Sequence, residues 1–91
     1  MQRLADTEIE KRLSGDWRRE GESLVRDVER TDFRAAIAFV NAVAELAERA
    51  DHHPDILVHA YRHVRLTLST HAAGGVSACD FDLAAAIDAL G

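Results

Sequence analysis

Cysteine, proline and methionine are nearly absent from this chain of 91 residues, which has one of each. The single cysteine, Cys79, cannot form a disulfide within the chain, and its presence as a free thiol fits a reducing compartment. No apolar run approaches the roughly 20 residues that a membrane-spanning helix needs. The first residues, MQRLADTEIEKRL, are too rich in charge to predict a secretory signal. We therefore expect a cytoplasmic protein that does not bind membranes.

Positive charge is also in deficit. The chain has 11 Lys and Arg residues against 16 Asp and Glu residues, which gives a net charge of −5 at pH 7. Such a balance lacks the basic surface that binds phosphates. Nucleic acid is therefore not expected as a direct partner.

The length of the chain sets the number of domains. Ninety-one residues provide one hydrophobic core, so we expect a single domain over residues 1–91 and exclude two-domain enzymes. Because a core of this size gives marginal stability, association adds useful buried surface. We expect a homodimer or a homotetramer.

Hydrophobic periodicity predicts three helices and four strands. The helical period of apolar residues extends over residues 6–13, 31–50 and 80–90. Strand character is found in two pairs of segments, 17–20 with 23–28 and 56–58 with 64–70. The expected helix caps are Asp6 or Thr7, Thr31 or Asp32, and Ser77 or Asp80. The order α-β-β-α-β-β-α predicts an α+β fold, in which three helices pack on one face of a four-stranded antiparallel sheet.

Histidine is over-represented, with five in 91 residues, and His52 and His53 lie side by side before Pro54. Adjacent side chains of an extended chain point to opposite sides, so we expect these imidazoles to face different surroundings. Pro54 restricts His53 to an extended backbone and presents its side chain at little conformational cost. His71 follows the last predicted strand, and Asp80 could accept a hydrogen bond from an imidazole and fix its tautomer.

Three interpretations of the histidines stay open from spacing alone. Because imidazole has a pKa of about 6.5 in model compounds, two or three around one pocket can exchange protons at neutral pH. Three histidines and a carboxylate could instead bind Zn²⁺, although the chain has no CxxC or HExxH motif. In the third interpretation they are polar residues at the ends of elements, which is what we expect of His59 and His63.

The order of the polar residues is specific. Glu48 is followed after three residues by His52-His53-Pro54, after six more by Tyr61, after nine by His71 and after eight by Asp80. This order closely resembles the signature of pterin-4a-carbinolamine dehydratases. Similar segments elsewhere extend the resemblance over nearly the whole chain: Trp17 after Gly15-Asp16, Phe33 and Phe39 in the long helix, and Gly74-Gly75-Val76-Ser77.

The resemblance implies that the protein removes water from a 4a-hydroxytetrahydropterin to give quinonoid dihydropterin. The catalytic residues that it implies are His52, His53, His71 and Asp80. Of these, His52 and His71 would act as acid and base, and Asp80 would orient a histidine or its water. Pterin binding would involve His53, Glu48 and Thr70. Neither a metal nor an organic cofactor is implied.

A non-catalytic function is the alternative that the resemblance leaves open. Relatives with this fold act as a dimerisation partner of a transcription factor in animals, or as an assembly factor for a carbon-fixing enzyme in bacteria. Members that act only in assembly tend to lack the histidine set, and this sequence keeps it. The resemblance therefore favours catalysis.

Two positions depart from the family pattern. Six residues rather than five separate Pro54 from Tyr61, and one extra residue in a strand reverses the face of the following side chains unless a bulge absorbs it. Cys79 stands where charged residues are commoner, so we expect a contact to the rim of the pterin to be missing. Neither departure falls on His52, His53 or His71.

Overall fold

The helices and strands follow one another in the predicted order. The structure is a computed structural model that describes residues 2–91, and Met1, the first residue of the charged N-terminal segment, lies outside the described residues. The helices are α1 (Asp6–Arg12), α2 (Phe33–Ala50) and α3 (Ala78–Asp88). The strands are β1 (Arg18–Glu20), β2 (Ser23–Glu29), β3 (Asp55–His59) and β4 (His63–Leu68). A short 3₁₀ turn, His71–Ala73, lies between β4 and α3.

The four strands form one antiparallel sheet in the order β1-β2-β4-β3. Two hairpins, β1 with β2 and β3 with β4, are joined in the middle of the sheet by the pairing of β2 with β4. In that pairing Leu24 lies opposite Leu68, and Val28 lies opposite Val64. Because directly opposite residues share a face of the sheet, these side chains form one apolar surface. The predicted α+β fold is confirmed.

The helices cover this apolar surface. Ala36, Phe39, Val43 and Ala47 are the buried residues of α2, and their spacing places them on one stripe of the helix. They form one buried cluster with the apolar residues of β2 and β4 and with Ile87 of α3. None of the helices in residues 2–91 is long and apolar enough to cross a membrane. The core thus lies between the helices and one face of the sheet.

The last strand is shorter than the alternation of its sequence predicts. We expected a strand as far as Thr70, but β4 ends at Leu68. Thr70 instead forms an isolated antiparallel bridge with Gly75. The amide of each donates to the carbonyl of the other, with N to O distances of 3.0 and 3.3 Å. This bridge closes the loop that carries His71.

Two of the three predicted helix caps are correct. Asp32 caps α2, because its side chain accepts a hydrogen bond from the backbone N–H of Ala35. Ser77 is the N-cap of α3. The first prediction is wrong, since α1 begins after Ala5 and has no side-chain cap. Asp6 lies in the first turn of that helix and forms ion pairs with two arginines instead.

Charged residues occupy the face of the sheet opposite the helices. Asp27 of β2 lies between Arg65 of β4 and Arg18 of β1, with N to O distances of 2.8 and 3.0 Å. The Arg65 guanidinium, which donates a hydrogen bond to the carboxylate, is the main reason that the pKa of Asp27 lies below its ordinary value. The Asp27 carboxylate thus links three neighbouring strands.

Replacing Arg65 with Met should raise the pKa of Asp27 towards its ordinary value and move acid unfolding to slightly higher pH. A carboxyl group with a lowered pKa adds stability above its unfolded pKa, and this stability is lost as the pH falls through the folded pKa. The effect should be small because both side chains are partly exposed. A ¹³C NMR titration of the carboxyl and acid unfolding followed by circular dichroism measure the two changes.

The matched control is Arg34→Met, which removes an exposed arginine that forms no ion pair within residues 2–91. It should leave the Asp27 titration unchanged. An identical Asp27 titration in wild type and Arg65→Met would contradict the assignment.

Candidate functional site

The end of α2 sets the direction of the two adjacent histidines. Asp51 has φ 50° and ψ 44°, in the left-handed region. The backbone N–H of Asp51 donates to the carbonyl of Glu48, and that of His52 donates to the carbonyl of Ala47. This is the pattern of a Schellman motif, which ends a helix and turns the chain sharply. The turn directs the chain at His52 towards β3.

A buried carboxylate holds His52. Its Nε2 lies 2.5 Å from Oδ1 of Asp80, which is in the first turn of α3. The Asp80 side chain is fully buried, whereas 15% of the His52 side chain is exposed. A helix N-terminus favours a negative charge. The imidazole at the end of α2 is therefore fixed to the start of α3.

Both oxygens of the Asp80 carboxylate have partners. Its Oδ2 accepts a hydrogen bond from the Thr70 hydroxyl at 2.8 Å and another from the backbone N–H of Ser77 at 2.9 Å. The Thr70 and Ser77 hydroxyl oxygens lie 2.7 Å apart. A charged group taken out of water is tolerated when its hydrogen bonds are replaced in this way. The folded chain thus replaces the water that the carboxylate loses on burial.

His53 faces a different carboxylate from His52. Its Nε2 lies 2.5 Å from Oε2 of Glu48, in the last turn of α2. Both side chains are exposed, by 61% and 73%. The two adjacent imidazoles therefore face different surroundings, as the alternation of an extended chain predicts.

Three histidines line one cleft of about 300 Å³. His52 and His53 come from the segment after α2, and His71 comes from the 3₁₀ turn after β4. The other lining residues are Asp51, Ser69, Thr70 and Ala72. The fold thus brings together all three histidines that the sequence singled out, and it places Asp80 directly behind one of them.

The arrangement of these side chains bears on the zinc interpretation. Among residues 2–91, no group of three or more His, Cys, Asp or Glu side chains is placed to hold a metal ion. His52 Nε2 contacts Asp80 instead, and His53 Nε2 contacts Glu48. Two of the three imidazoles are thus engaged by separate carboxylates.

His59 and His63 lie outside the lining of the cleft. They pair across β3 and β4, and their ring centroids are 5.5 Å apart. Tyr61 lies between these strands in the turn, with a φ of 52° and 61% of its surface exposed. The pairing of β3 with β4 runs without a break up to His59 and His63. His59 and His63 are thus strand residues outside the cleft, as expected, and Tyr61 is a turn residue.

Trp17 and Cys79 also lie outside the lining of the cleft of the three histidines. Trp17 is buried in the core, and its Nε1 donates to Asp88 at 2.9 Å. Cys79 is partly exposed and lines a neighbouring cavity of about 360 Å³, which His52 also lines. Trp17 is therefore a packing residue of the core.

One contact of the site, between the Thr70 and Ser77 hydroxyls, was not predicted from the sequence. Ser77 was expected as a helix cap, but its contact with Thr70 was not predicted. The available signal was the spacing of Ser77 and Asp80, which form a capping box at the start of α3. That spacing predicts where the helix begins and says nothing about Thr70, which comes from a strand end.

Sequence comparisons place these features in a known family. A family model described as pterin 4 alpha carbinolamine dehydratase matches residues 2–90. A protein of Acidobacterium capsulatum, provisionally named as a pterin-4-alpha-carbinolamine dehydratase, is 53% identical over 99% of this chain and 99% of its own length. A protein of Nocardia farcinica with the same provisional name is 51% identical over 96% of this chain and 93% of its own.

Solved structures are similar as well. A crystal structure described as a transcriptional coactivator/pterin dehydratase from Brucella melitensis has a TM-score of 0.91 and 32% identity, and the match covers 98% of both chains. A pterin dehydratase-like protein described as a RuBisCO assembly factor in the alpha-carboxysome has a TM-score of 0.69 and 28% identity, over 84% of this chain and 89% of its own.

Fold and cleft together define a small α+β protein with two histidine–carboxylate pairs: His52 with Asp80, between the end of α2 and the start of α3, and His53 with Glu48, at the end of α2. The chain belongs to the pterin-4-alpha-carbinolamine dehydratase family, and the resemblance found in the sequence is confirmed.

Replacing Asp51 with glycine should stabilise the protein by about 0.5–1 kcal/mol, because a left-handed backbone is strained for a residue with a Cβ and is not for glycine. Urea unfolding measures the free energy of unfolding. The control is Asp51→Ala, which removes the carboxylate and keeps the Cβ, and it should bring no gain. An equal gain in both variants would assign the effect to the lost charge instead of the backbone.

Proposed function

We propose that the protein is a 4a-hydroxytetrahydropterin dehydratase that works by histidine acid/base catalysis without a metal. The observation that carries this proposal is the cleft lined by His52, His53 and His71. One of these imidazoles is anchored to a buried carboxylate on Asp80. Membership of the family supplies the substrate class.

The reaction needs two proton transfers. An acid donates a proton to the 4a-hydroxyl group as the C4a–O bond breaks, and water leaves. A base takes the proton from a ring nitrogen, and the electron pair of that N–H bond forms the C=N bond of quinonoid dihydropterin. Nothing is oxidised or reduced, so the step needs no redox cofactor. Imidazole suits both roles because its ordinary pKa, about 6.5, lies near neutral pH.

Two histidines are assigned to proton transfer. His52 is mostly buried and is held in place by Asp80. His71 is exposed, on the turn after β4. This pair gives the cleft one imidazole in a fixed position and one that can exchange protons with water. His52 and His71 are therefore the acid and the base of the proposed reaction.

The second histidine–carboxylate pair, His53 with Glu48, is assigned to substrate binding. His53 lines the cleft, and its Nε2 contacts Glu48. Because both side chains are exposed, they can meet a ligand without any movement of the core. A carboxylate accepts hydrogen bonds from N–H groups, which a pterin ring carries. His53 and Glu48 would thus position the pterin for the proton transfers.

The proposal predicts that wild-type protein accelerates the dehydration of freshly generated 4a-hydroxytetrahydropterin in the presence of a chelator. Ultraviolet absorbance follows the reaction. His52→Ala and His71→Ala should each slow the catalysed reaction by roughly 10²-fold or more, the usual contribution of one general acid or base. The matched controls, His59→Ala and His63→Ala, remove imidazoles outside the cleft and should keep wild-type rates.

Two results would contradict the proposal. If folded wild-type protein gives no acceleration, the dehydratase assignment is wrong, and an assembly function of the kind described for the alpha-carboxysome relative becomes the working hypothesis. If the acceleration disappears in chelator and returns with added zinc, the reaction depends on a metal.

A further inference from the structure

Two buried hydroxyl groups connect the loop after β4 to the Asp80 carboxylate. Thr70 Oγ1 lies 2.8 Å from Asp80 Oδ2 and 2.7 Å from Ser77 Oγ. A carboxylate can accept and cannot donate, so Thr70 gives its one hydroxyl hydrogen to Asp80. The hydrogen of the second bond must then come from Ser77. The directions are therefore set: Ser77 donates to Thr70, and Thr70 donates to Asp80.

These hydrogen bonds determine where the proton between His52 and Asp80 lies. Asp80 Oδ2 accepts from the Thr70 hydroxyl and from the backbone N–H of Ser77. Both bonds stabilise the negative form of the carboxylate, as does its place in the first turn of α3. Because an ionised carboxylate can only accept, the 2.5 Å contact between Asp80 Oδ1 and His52 Nε2 is then a hydrogen bond that the imidazole donates.

The position of this proton leaves one ring nitrogen of His52 for chemistry. A neutral imidazole carries one hydrogen, and here Nε2 holds it. Within residues 2–91 the His52 ring makes one hydrogen bond, the contact with Asp80, so Nδ1 has no protein partner there. Nδ1 is therefore the nitrogen that can exchange a proton with a ligand in the cleft.

We propose that Thr70 is a positioning residue, which together with Ser77 holds Asp80 so that His52 presents Nδ1 to the substrate. This inference rests on the proposed function for its catalytic part. The Thr70 hydroxyl acts through Asp80 and His52 and does not touch the pterin. Since Thr70 is 9% exposed and Ser77 is fully buried, the arrangement is shielded from competing water.

This role differs from the substrate binding that the family resemblance implied for Thr70. The residue does line the cleft. Its hydroxyl hydrogen, however, is used by Asp80, and one of its lone pairs accepts from Ser77. The hydroxyl therefore has no hydrogen left to donate to a pterin.

Replacing Thr70 with Val tests the two roles against each other, because Val keeps the shape of Thr and removes the hydroxyl. Positioning predicts that kcat falls about tenfold while KM changes by less than about twofold. Thr70→Ser keeps the hydroxyl and should restore most of kcat. A raised KM with unchanged kcat in Thr70→Val would overturn the proposal in favour of substrate binding.

A second readout does not depend on activity. The ¹⁵N chemical shifts of His52, measured at alkaline pH where the ring is neutral, report which nitrogen carries the hydrogen. Wild type and Thr70→Ser should show hydrogen on Nε2, and Thr70→Val should show a mixture of tautomers. Hydrogen on Nδ1 in wild type, or an unchanged tautomer in Thr70→Val, would overturn the proposal.

The tautomer measurement also separates this proposal from the proposed function. If wild type is inactive but Thr70→Val still changes the His52 tautomer, the dehydratase assignment fails and the positioning of His52 stands.

Should Thr70→Val not fold, Ser77→Ala provides a second variant. It removes the donor to Thr70 and the side-chain cap of α3 and leaves the bond from Thr70 to Asp80, so kcat should fall less than tenfold and the tautomer should begin to mix. A Ser77→Ala protein with wild-type kcat and a wild-type tautomer would contradict the role of Ser77.

Discussion

The contact between His52 and Asp80 is the interaction on which the cleft depends. A carboxylate removed from water needs partners for its charge, and Asp80 finds them at the end of α2, at the end of β4 and at the start of α3. Leaving a buried polar group without its hydrogen-bond partner typically costs about 1–3 kcal/mol, and more when that group is charged. The Asp80 carboxylate thus orients His52 and also holds the end of α2 to the start of α3.

The topology explains why these partners meet. β4 lies in the interior of the sheet, between β2 and β3, so its end is held on both sides. α2 and α3 pack over the same face. The loop that follows β4 and carries Thr70 and His71 therefore lies beside the two helix ends that carry His52 and Asp80. The cleft forms where α2 and β4 end and where α3 begins. Backbone hydrogen bonds at these three ends fix the positions of the residues whose side chains line it.

Much of the fold could be predicted from the sequence because its signals are local. The apolar stripe of α2 and the alternation of Val64, Leu66 and Leu68 follow from the periods of a helix and a strand. The end of β4 could not be predicted, since it depends on the bridge between Thr70 and Gly75 across a loop.

The prediction of the N-cap of α1 was wrong for a similar reason. Asp6 is an effective capping residue by type, but in the folded protein its carboxylate forms ion pairs with Arg3 and Arg19.

The histidines of the cleft were predictable from type and spacing, whereas the hydroxyl contacts behind them were not. Thr70 and Ser77 lie at opposite ends of the loop between β4 and α3, and the bridge between Thr70 and Gly75 closes this loop so that their hydroxyls meet.

A double-mutant cycle measures whether Asp80 contributes to catalysis through His52. The dehydration rate would be measured for Asp80→Asn, for His52→Ala and for the two changes together, in folded protein. If Asp80 acts through the imidazole, the double variant should be no slower than His52→Ala alone, since residues that work as a unit are not additive. Losses that multiply in the double variant would instead mean that Asp80 acts on the reaction independently of His52, and the proposed role of the His52–Asp80 contact would be wrong.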